Sequence, residues 1–198
     1  MRIISGINKG LTIYGSEDKK IRPLKDMVRE SIFNFLIHSK KVSIEIENST
    51  ILDLYSGTGS FGLECLSRLA NKVIFIEKQK EAIEILKQNI KKLKVVEKTK
   101  ILPEDVLTII NKVNVNTYNW IFDLKFDLIF CDPPFKNLNI NNLIKAIVEK
   151  KILKENSIII IHRHKNTDEK LTKYLEIIDE RVYGISKITF AKPLSSFA

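Results

Sequence analysis

Ile51-Leu52-Asp53-Leu54-Tyr55-Ser56-Gly57-Thr58-Gly59-Ser60-Phe61-Gly62 joins an apolar run to a glycine loop and the start of a helix. The run reads as a buried strand, and Gly57, Gly59 and Gly62 spell G-x-G-x-x-G at its carboxyl end. Glycines there let the backbone turn tightly and approach a cofactor. Twenty positions after Gly57, the acidic Glu77 closes the next apolar run, Val73-Ile74-Phe75-Ile76, where it would bind the hydroxyls of a ribose. A dinucleotide site has the same pattern. Asp53 favours S-adenosylmethionine instead, because a carboxylate four residues before Gly57 would repel a pyrophosphate but meet the ammonium of a methionine moiety. Nothing in the chain supplies hydride chemistry or a second substrate domain.

A second loop follows another strand-like run. Phe126-Asp127-Leu128-Ile129-Phe130-Cys131 leads straight into Asp132-Pro133-Pro134-Phe135. Open α/β sheets bind ligands at the carboxyl ends of their strands. Two prolines stiffen the loop and donate no N–H, which leaves their carbonyls as acceptors beside the Asp132 carboxylate. Phe135 offers a flat face for a base, a contact worth roughly 1–3 kcal/mol. An exocyclic amine on a nucleobase needs such acceptors, since its lone pair is delocalised into the ring until its hydrogens are held. Asp and Pro are also ordinary turn residues, and a strand-ending turn needs no ligand. Methyl transfer to an amine explains both loops with one reaction.

From Thr50 onward strands and helices alternate. Strands are expected at 50–53, 72–77, 100–102, 126–131 and 157–162, with helices starting at Ser60, Gln79, Glu104, Leu138 and Asp168. This predicts a doubly wound, mostly parallel α/β sheet with helices on both faces. Ile177 to Tyr183 and Ile185 to Lys192, about Gly184, read as a hairpin adding an antiparallel strand at one edge. Residues 1 to 20 read as a small strand pair turning at Gly10 or Gly15. Pro23 then suits the first turn of a helix whose buried stripe is Met27, Val28, Ile32, Phe35 and Leu36.

The 198 residues are expected to form one domain, with a basic amino-terminal extension over 1–41 and a cofactor-binding catalytic core over 50–198. With 33 Lys and Arg against 24 Asp and Glu, the net charge of +9 favours a polyanionic partner. Residues 1 to 41 carry nine basic and four acidic side chains, a net of +5, so Arg2, Lys9, Arg22, Lys25 and Arg29 are the candidate RNA contacts. The lysines between Gln79 and Lys94 read as a solvated helix face. Cys65 and Cys131 lie in apolar runs and read as buried free thiols, in keeping with a reducing cytoplasm. No run reaches the roughly 20 apolar residues of a membrane span. His162-Arg163-His164 reads first as simple solvation of a strand end and second as an RNA contact there, and it lacks the further ligands of a zinc site.

On these residues the chain resembles the class I S-adenosylmethionine-dependent methyltransferases, and within them the RsmD-like 16S rRNA guanine-N2 methyltransferases. The likeness includes Arg2-Ile3-Ile4-Ser5-Gly6, Lys9-Gly10, Arg22-Pro23, Val28-Arg29-Glu30-Ser31-Ile32-Phe33-Asn34, Gly62-Leu63-Glu64-Cys65-Leu66-Ser67-Arg68 and Asp132-Pro133-Pro134-Phe135. DPPF marks amino-group methyltransferases in general, while the amino-terminal block is much more restrictive. The resemblance implies methylation of N2 of one guanine in small-subunit ribosomal RNA, free or in an assembly particle; the chain itself is expected to act as a monomer and to need no metal. It implies that Asp53, Gly57 and Gly59, with Ser56 and Thr58 beside them, line the methionine end of S-adenosylmethionine. Glu77 and Lys78 then fall at the ribose, and Asp105 and Val106 at the adenine, with Glu104 an alternative to Asp105. It places Asp132, Pro133, Pro134 and Phe135 at the reacting amine. The stretch Asn111 to Lys125 looks longer than the family's usual connection. A DNA amino-methyltransferase would use the same DPPF, but the chain has no room for a target-recognition domain. A protein glutamine methyltransferase usually carries Asn at the Asp132 position, and an inert basic RNA-binding module would not need Asp53, Gly57, Gly59, Glu77 and Asp132 together.

Overall fold

The computed structural model describes residues 1–16, 24–111, 120–135, 139–167, 169 and 171–194. Seven strands form one sheet in the order β3-β2-β1-β4-β5-β7-β6. β1 (Thr50–Leu54), β2 (Lys72–Ile76), β3 (Thr99–Leu102), β4 (Phe126–Cys131) and β5 (Leu153–His164) are parallel. β6 (Leu175–Tyr183) and β7 (Ser186–Pro193) form the antiparallel hairpin, with β7 inserted between β5 and β6. The tail thus adds two strands to the sheet, not one.

Parallel strands covered on both faces read as continuous apolar runs, because successive side chains enter opposite cores. The isoleucines of β5 show this directly. Ile158 and Ile160 join one hydrophobic cluster with Phe61, Phe75 and Leu86. Ile159 and Ile161 join the other with Ile110, Leu143 and Ile147. The first face is covered by α1 (Asp26–His38), α2 (Ser60–Ser67) and α3 (Lys80–Lys92). α4 (Val106–Asn111), α5 (Trp120–Asp123) and α6 (Ile140–Glu149) cover the second. α3 keeps Lys80, Lys87, Lys91 and Lys92 in solvent, as its charge pattern predicts. No helix of the described residues is long and apolar enough to cross a membrane.

Several boundaries move for local reasons. α4 starts at Val106, not Glu104, because Asp105 Oδ1 accepts the Leu107 and Thr108 amides as a helix cap. β5 reaches back to Leu153 across a register shift against β4, which hides its first part from a simple periodicity. A 3₁₀ turn at Leu171–Lys173 stands near the helix expected from Asp168, and Asp168 itself lies outside the described residues, as do Pro23 and Leu138. Of the connection from Asn111 to Lys125, residues 112–119 also lie outside them.

The amino-terminal segment is stitched into the domain. Ile3 and Leu11 pair through their backbones, and Arg2 bridges Thr12, so the turn lies between Gly6 and Gly10. The fully buried Glu64 of α2 accepts the Ile4 amide at 2.7 Å, the Ser5 amide at 3.0 Å and Arg68 Nε at 2.9 Å. Three donors offset the cost of desolvating one carboxylate. Asn89 of α3 exchanges bonds with the Tyr14 backbone and donates to the Thr58 carbonyl of the glycine loop.

α1 differs from expectation at two neighbouring positions. Met27 is 61% exposed, whereas Arg29 is 0% exposed. The Arg29 guanidinium donates to the Arg2 and Ser60 carbonyls and pairs with Asp26. Arg29 therefore joins three segments from the inside and is withdrawn from the candidate RNA contacts.

α2 packs directly on the sheet at its third glycine. A Cβ on Gly62 would fall 2.4 Å from a Phe75 ring carbon and 2.8 Å from Val73 Cγ1. Gly62→Ala is expected to destabilise the protein by about 1–3 kcal/mol through overpacking, against a helix-propensity gain of about 1 kcal/mol. Denaturant unfolding measures it, and an unchanged midpoint would show that Phe75 can move aside.

Candidate active site

β1 and β4 are neighbours in the sheet, with Leu54 opposite Cys131, so the two loops that follow them open at the same edge. Asp53 and Asp132 line a single cleft together with Ser56, Gly57, Phe61 and Phe130. Seventy-five residues separate Gly57 from Asp132 in the chain, and the parallel crossovers bring them together.

Both sides of the glycine loop are fastened. Glu77 Oε2 accepts the Gly57 amide at 2.8 Å, while Oε1 accepts the Lys78 and Gln79 amides. Ser56 N donates to the Ile76 carbonyl, and Asn89 holds Thr58. Gly59 precedes α2 at φ +86°, a left-handed conformation that side chains resist, and a Cβ there would lie 2.3 Å from a Leu86 methyl. Tyr55 also takes a positive φ, of 58°. Ser56 Oγ is buried at the cleft with no hydrogen-bond partner.

Asp53 is 1% exposed, and its Oδ2 accepts the Gly62 amide at 3.0 Å. Burial pushes its carboxyl well above the usual carboxylate range; the Gly62 bond opposes this, and the negative charges of Asp132 and Glu77 reinforce it. A cation bound beside Asp53 would reverse the shift. At the end of β3, Asp105 pairs with Lys78 at 2.8 Å. Burial opposes its ionisation, but Lys78 and the α4 amides outweigh that and hold its carboxyl below the ordinary range. Glu104 Oε1 accepts the Asp105 amide, and Val106 is buried in the second core.

The DPPF loop is held from beneath. Arg163, 1% exposed, pairs with Glu169 at 2.6 Å and donates to the Pro134 carbonyl at 3.1 Å and, more loosely, to that of Phe135 at 3.4 Å. Among the described residues none donates to the Pro133 carbonyl. Asp132 Oδ1 lies 2.8 Å from His162 Nδ1. The contact is close but poorly aligned, and both ring nitrogens of His162 are buried without a hydrogen-bond partner. Phe135 is half-buried, edge-on to His162 and His164 at centroid distances of 5.6 and 5.4 Å.

The expected RNA contacts divide. Arg2, Lys9 and Lys25 are exposed, Arg29 is buried, and Arg22 lies outside the described residues. Of His162-Arg163-His164, only His164 is more than slightly exposed, so the other two serve the site from within. Nothing in the sequence around Glu64, Asn89 and Arg163 marks these polar side chains as buried, and Arg163 in particular reads there as a strand-end surface residue. The described residues hold no cluster of His, Cys, Asp and Glu that could bind a metal ion. A larger groove, between α1 and β6 at Asn34, His38 and Arg181, is remote from both loops.

Residues 1–192 match the family described as Conserved hypothetical protein 95. A relative named Ribosomal RNA small subunit methyltransferase D, from Buchnera aphidicola subsp. Baizongia pistaciae, is 32% identical over 174 residues, covering 87% of this chain and 80% of its own. The protein of the same name from Haemophilus influenzae is 30% identical over 186 residues, with 93% and 90% covered. A solved structure from Haemophilus influenzae, provisionally described as a methylase, superposes with a TM-score of 0.73 at 28% identity over 98% of each chain. An Escherichia coli structure reaches a TM-score of 0.80 with 98% of each chain covered, and at 21% identity it speaks for the fold alone.

Proposed function

We propose that this chain, which belongs to the family described as Conserved hypothetical protein 95, transfers a methyl group from S-adenosylmethionine to the exocyclic N2 amine of a guanine in small-subunit ribosomal RNA. The relatives' name supports ribosomal RNA as the substrate class. The observation that carries the reading is the pairing of Asp53 and Asp132 in one cleft, an acid suited to an ammonium beside an acid suited to an amine.

The residues present fit the cofactor. Ser56 Oγ is a buried polar atom without a partner at the cleft, which leaves it available to a polar group of the cofactor. S-adenosylmethionine, when bound, supplies an electrophilic methyl on a sulfonium. Asp53 would hold the ammonium, with Gly57, Thr58 and Gly59 along the methionine moiety. Glu77 already accepts three amides, and an ionised carboxylate has about four acceptor positions, so Oε2 retains capacity for a ribose hydroxyl beside Lys78. Asp105 and Val106 would border the adenine at the end of β3.

The guanine is splayed out and stacks on Phe135. Asp132 and the Pro133 carbonyl take the two amine hydrogens, while Arg163 occupies the next two carbonyls and fixes the loop. Holding the amine in a near-attack orientation would be the main service of these groups. Asp132 then receives the proton that the methylated amine releases. Exposed Arg2, Lys9 and Lys25 contribute phosphate contacts.

Tritium transfer from labelled S-adenosylmethionine into separate RNA, DNA and protein fractions, followed by mass mapping of nucleosides, tests the proposal. Label in N2-methylguanosine of small-subunit RNA is expected. Label in DNA or on another base would overturn the guanine reading, and cofactor binding with no transfer would mark an inert module.

A further inference from the structure

We propose that His162 is a positioning residue for Asp132, and that its neutral form is the active one. The inference rests on the methyl-transfer reading of the same cleft. His162 follows the β4–β5 pairing Cys131 to Ile161, which sets it opposite Asp132 at the carboxyl edge of the sheet. Its Nδ1 lies 2.8 Å from Asp132 Oδ1, and neither buried ring nitrogen has an aligned partner elsewhere. Buried polar groups are normally satisfied, and an imprecise contact at a catalytic group commonly tightens when substrate binds. With Nδ1–H donating to Oδ1, the carboxylate is fixed and Oδ2 is left for the amine. Phe135 packs edge-on against the same imidazole, so one ring steadies both the acceptor and the stacking face.

The charge balance sets the sign of the pH effect. The N2 lone pair forms a bond to the methyl carbon as the methyl–sulfur bond breaks, and that bond's electron pair stays on sulfur. Positive charge appears on N2 until one proton passes to Asp132 Oδ2. A neutral imidazole leaves the Asp132 charge free to stabilise that cation, whereas an imidazolium 2.8 Å from Oδ1 opposes it. The groups about His162 are few. Asp132 faces it from β4, with Asp53 of β1 electrostatically coupled behind Asp132. β7 opposes it with Ile188, and His164 stands beyond Phe135 on its own strand. Arg163, next in sequence, turns to the other face and pairs with Glu169.

The test compares wild type, His162→Ala and His162→Asn by methyl transfer into small-subunit RNA across about pH 5 to 8, the span over which imidazoles change charge. Cofactor affinity by calorimetry and thermal stability are measured alongside. Removing the donor in His162→Ala is expected to lower kcat roughly tenfold or more, with the KM for RNA and cofactor affinity within about twofold. The asparagine amide can occupy the Nδ1 position but never gains charge. His162→Asn should therefore recover most of kcat and fall less than wild type on acidification. Equal kcat in wild type and His162→Ala, or an acid loss unchanged in His162→Asn, would overturn the role. A wild type that binds cofactor yet methylates no RNA would overturn the underlying reading, whatever the variants do.

Discussion

Asp132→Ala is expected to lower methyl transfer by roughly 10²–10⁴-fold, the range typical of losing a group that takes a proton in the reaction. Cofactor binding should survive. Asp132 adds to the negative field that raises the buried Asp53 carboxyl above its usual range, so removing it makes Asp53 easier to ionise. Affinity for S-adenosylmethionine should then be equal to wild type or somewhat better, a direction that general damage to the site would not give. Transfer of label measures the first effect and calorimetry the second. Full activity in the variant would refute the assignment of Asp132.

Asp53→Asn is expected to separate binding from stability. In the folded protein burial holds the Asp53 carboxyl well above the range it has in an unfolded chain. The folded state therefore keeps a proton that the unfolded chain releases from about pH 4 upward, and stability falls as the pH rises toward the elevated folded value. Asparagine escapes that loss and can still accept the Gly62 amide. The ligand-free variant should match wild type near pH 4 and melt higher near pH 8, by roughly 2–4 °C for each kcal/mol relieved. Binding moves the other way. An ammonium left without its buried counterion costs about 3–5 kcal/mol, roughly two to four powers of ten in affinity. A variant that binds as tightly as wild type would remove Asp53 from the site.

Sequence reading recovered what depends on backbone periodicity and loop chemistry. The run 126–131 became β4 with the same bounds, because an unbroken apolar stretch in front of Asp-Pro-Pro has little choice but to be a buried strand ending in a turn. Asp53 and Asp132, both legible in the sequence as strand-end acids, are brought into one cleft by the fold. Sequence reading failed where a polar side chain is buried by partners remote in sequence. Arg29 looked like surface and Met27 like core, yet the carbonyls of Arg2 and Ser60 draw the arginine inward. Arg163 and His162 were misjudged for the same reason. Their partners at Pro134, Phe135 and Asp132 come into reach only when β5 pairs with β4. The insertion of β7 between β5 and β6 was equally hidden, since a hairpin's own pattern does not say which of its strands will meet the sheet.

The stitching of the amino-terminal segment has a consequence in time. Ile4 and Tyr14 bond to side chains 60 and 75 positions later in the chain. A ribosome adding about 5–20 residues per second needs roughly 4–15 s to make the second span. Until Asn89 has been made and α3 has formed, the Tyr14 backbone has no native partner there. The segment from Ile4 to Tyr14 is thus secured only after α2 and α3, made well behind it, have taken shape.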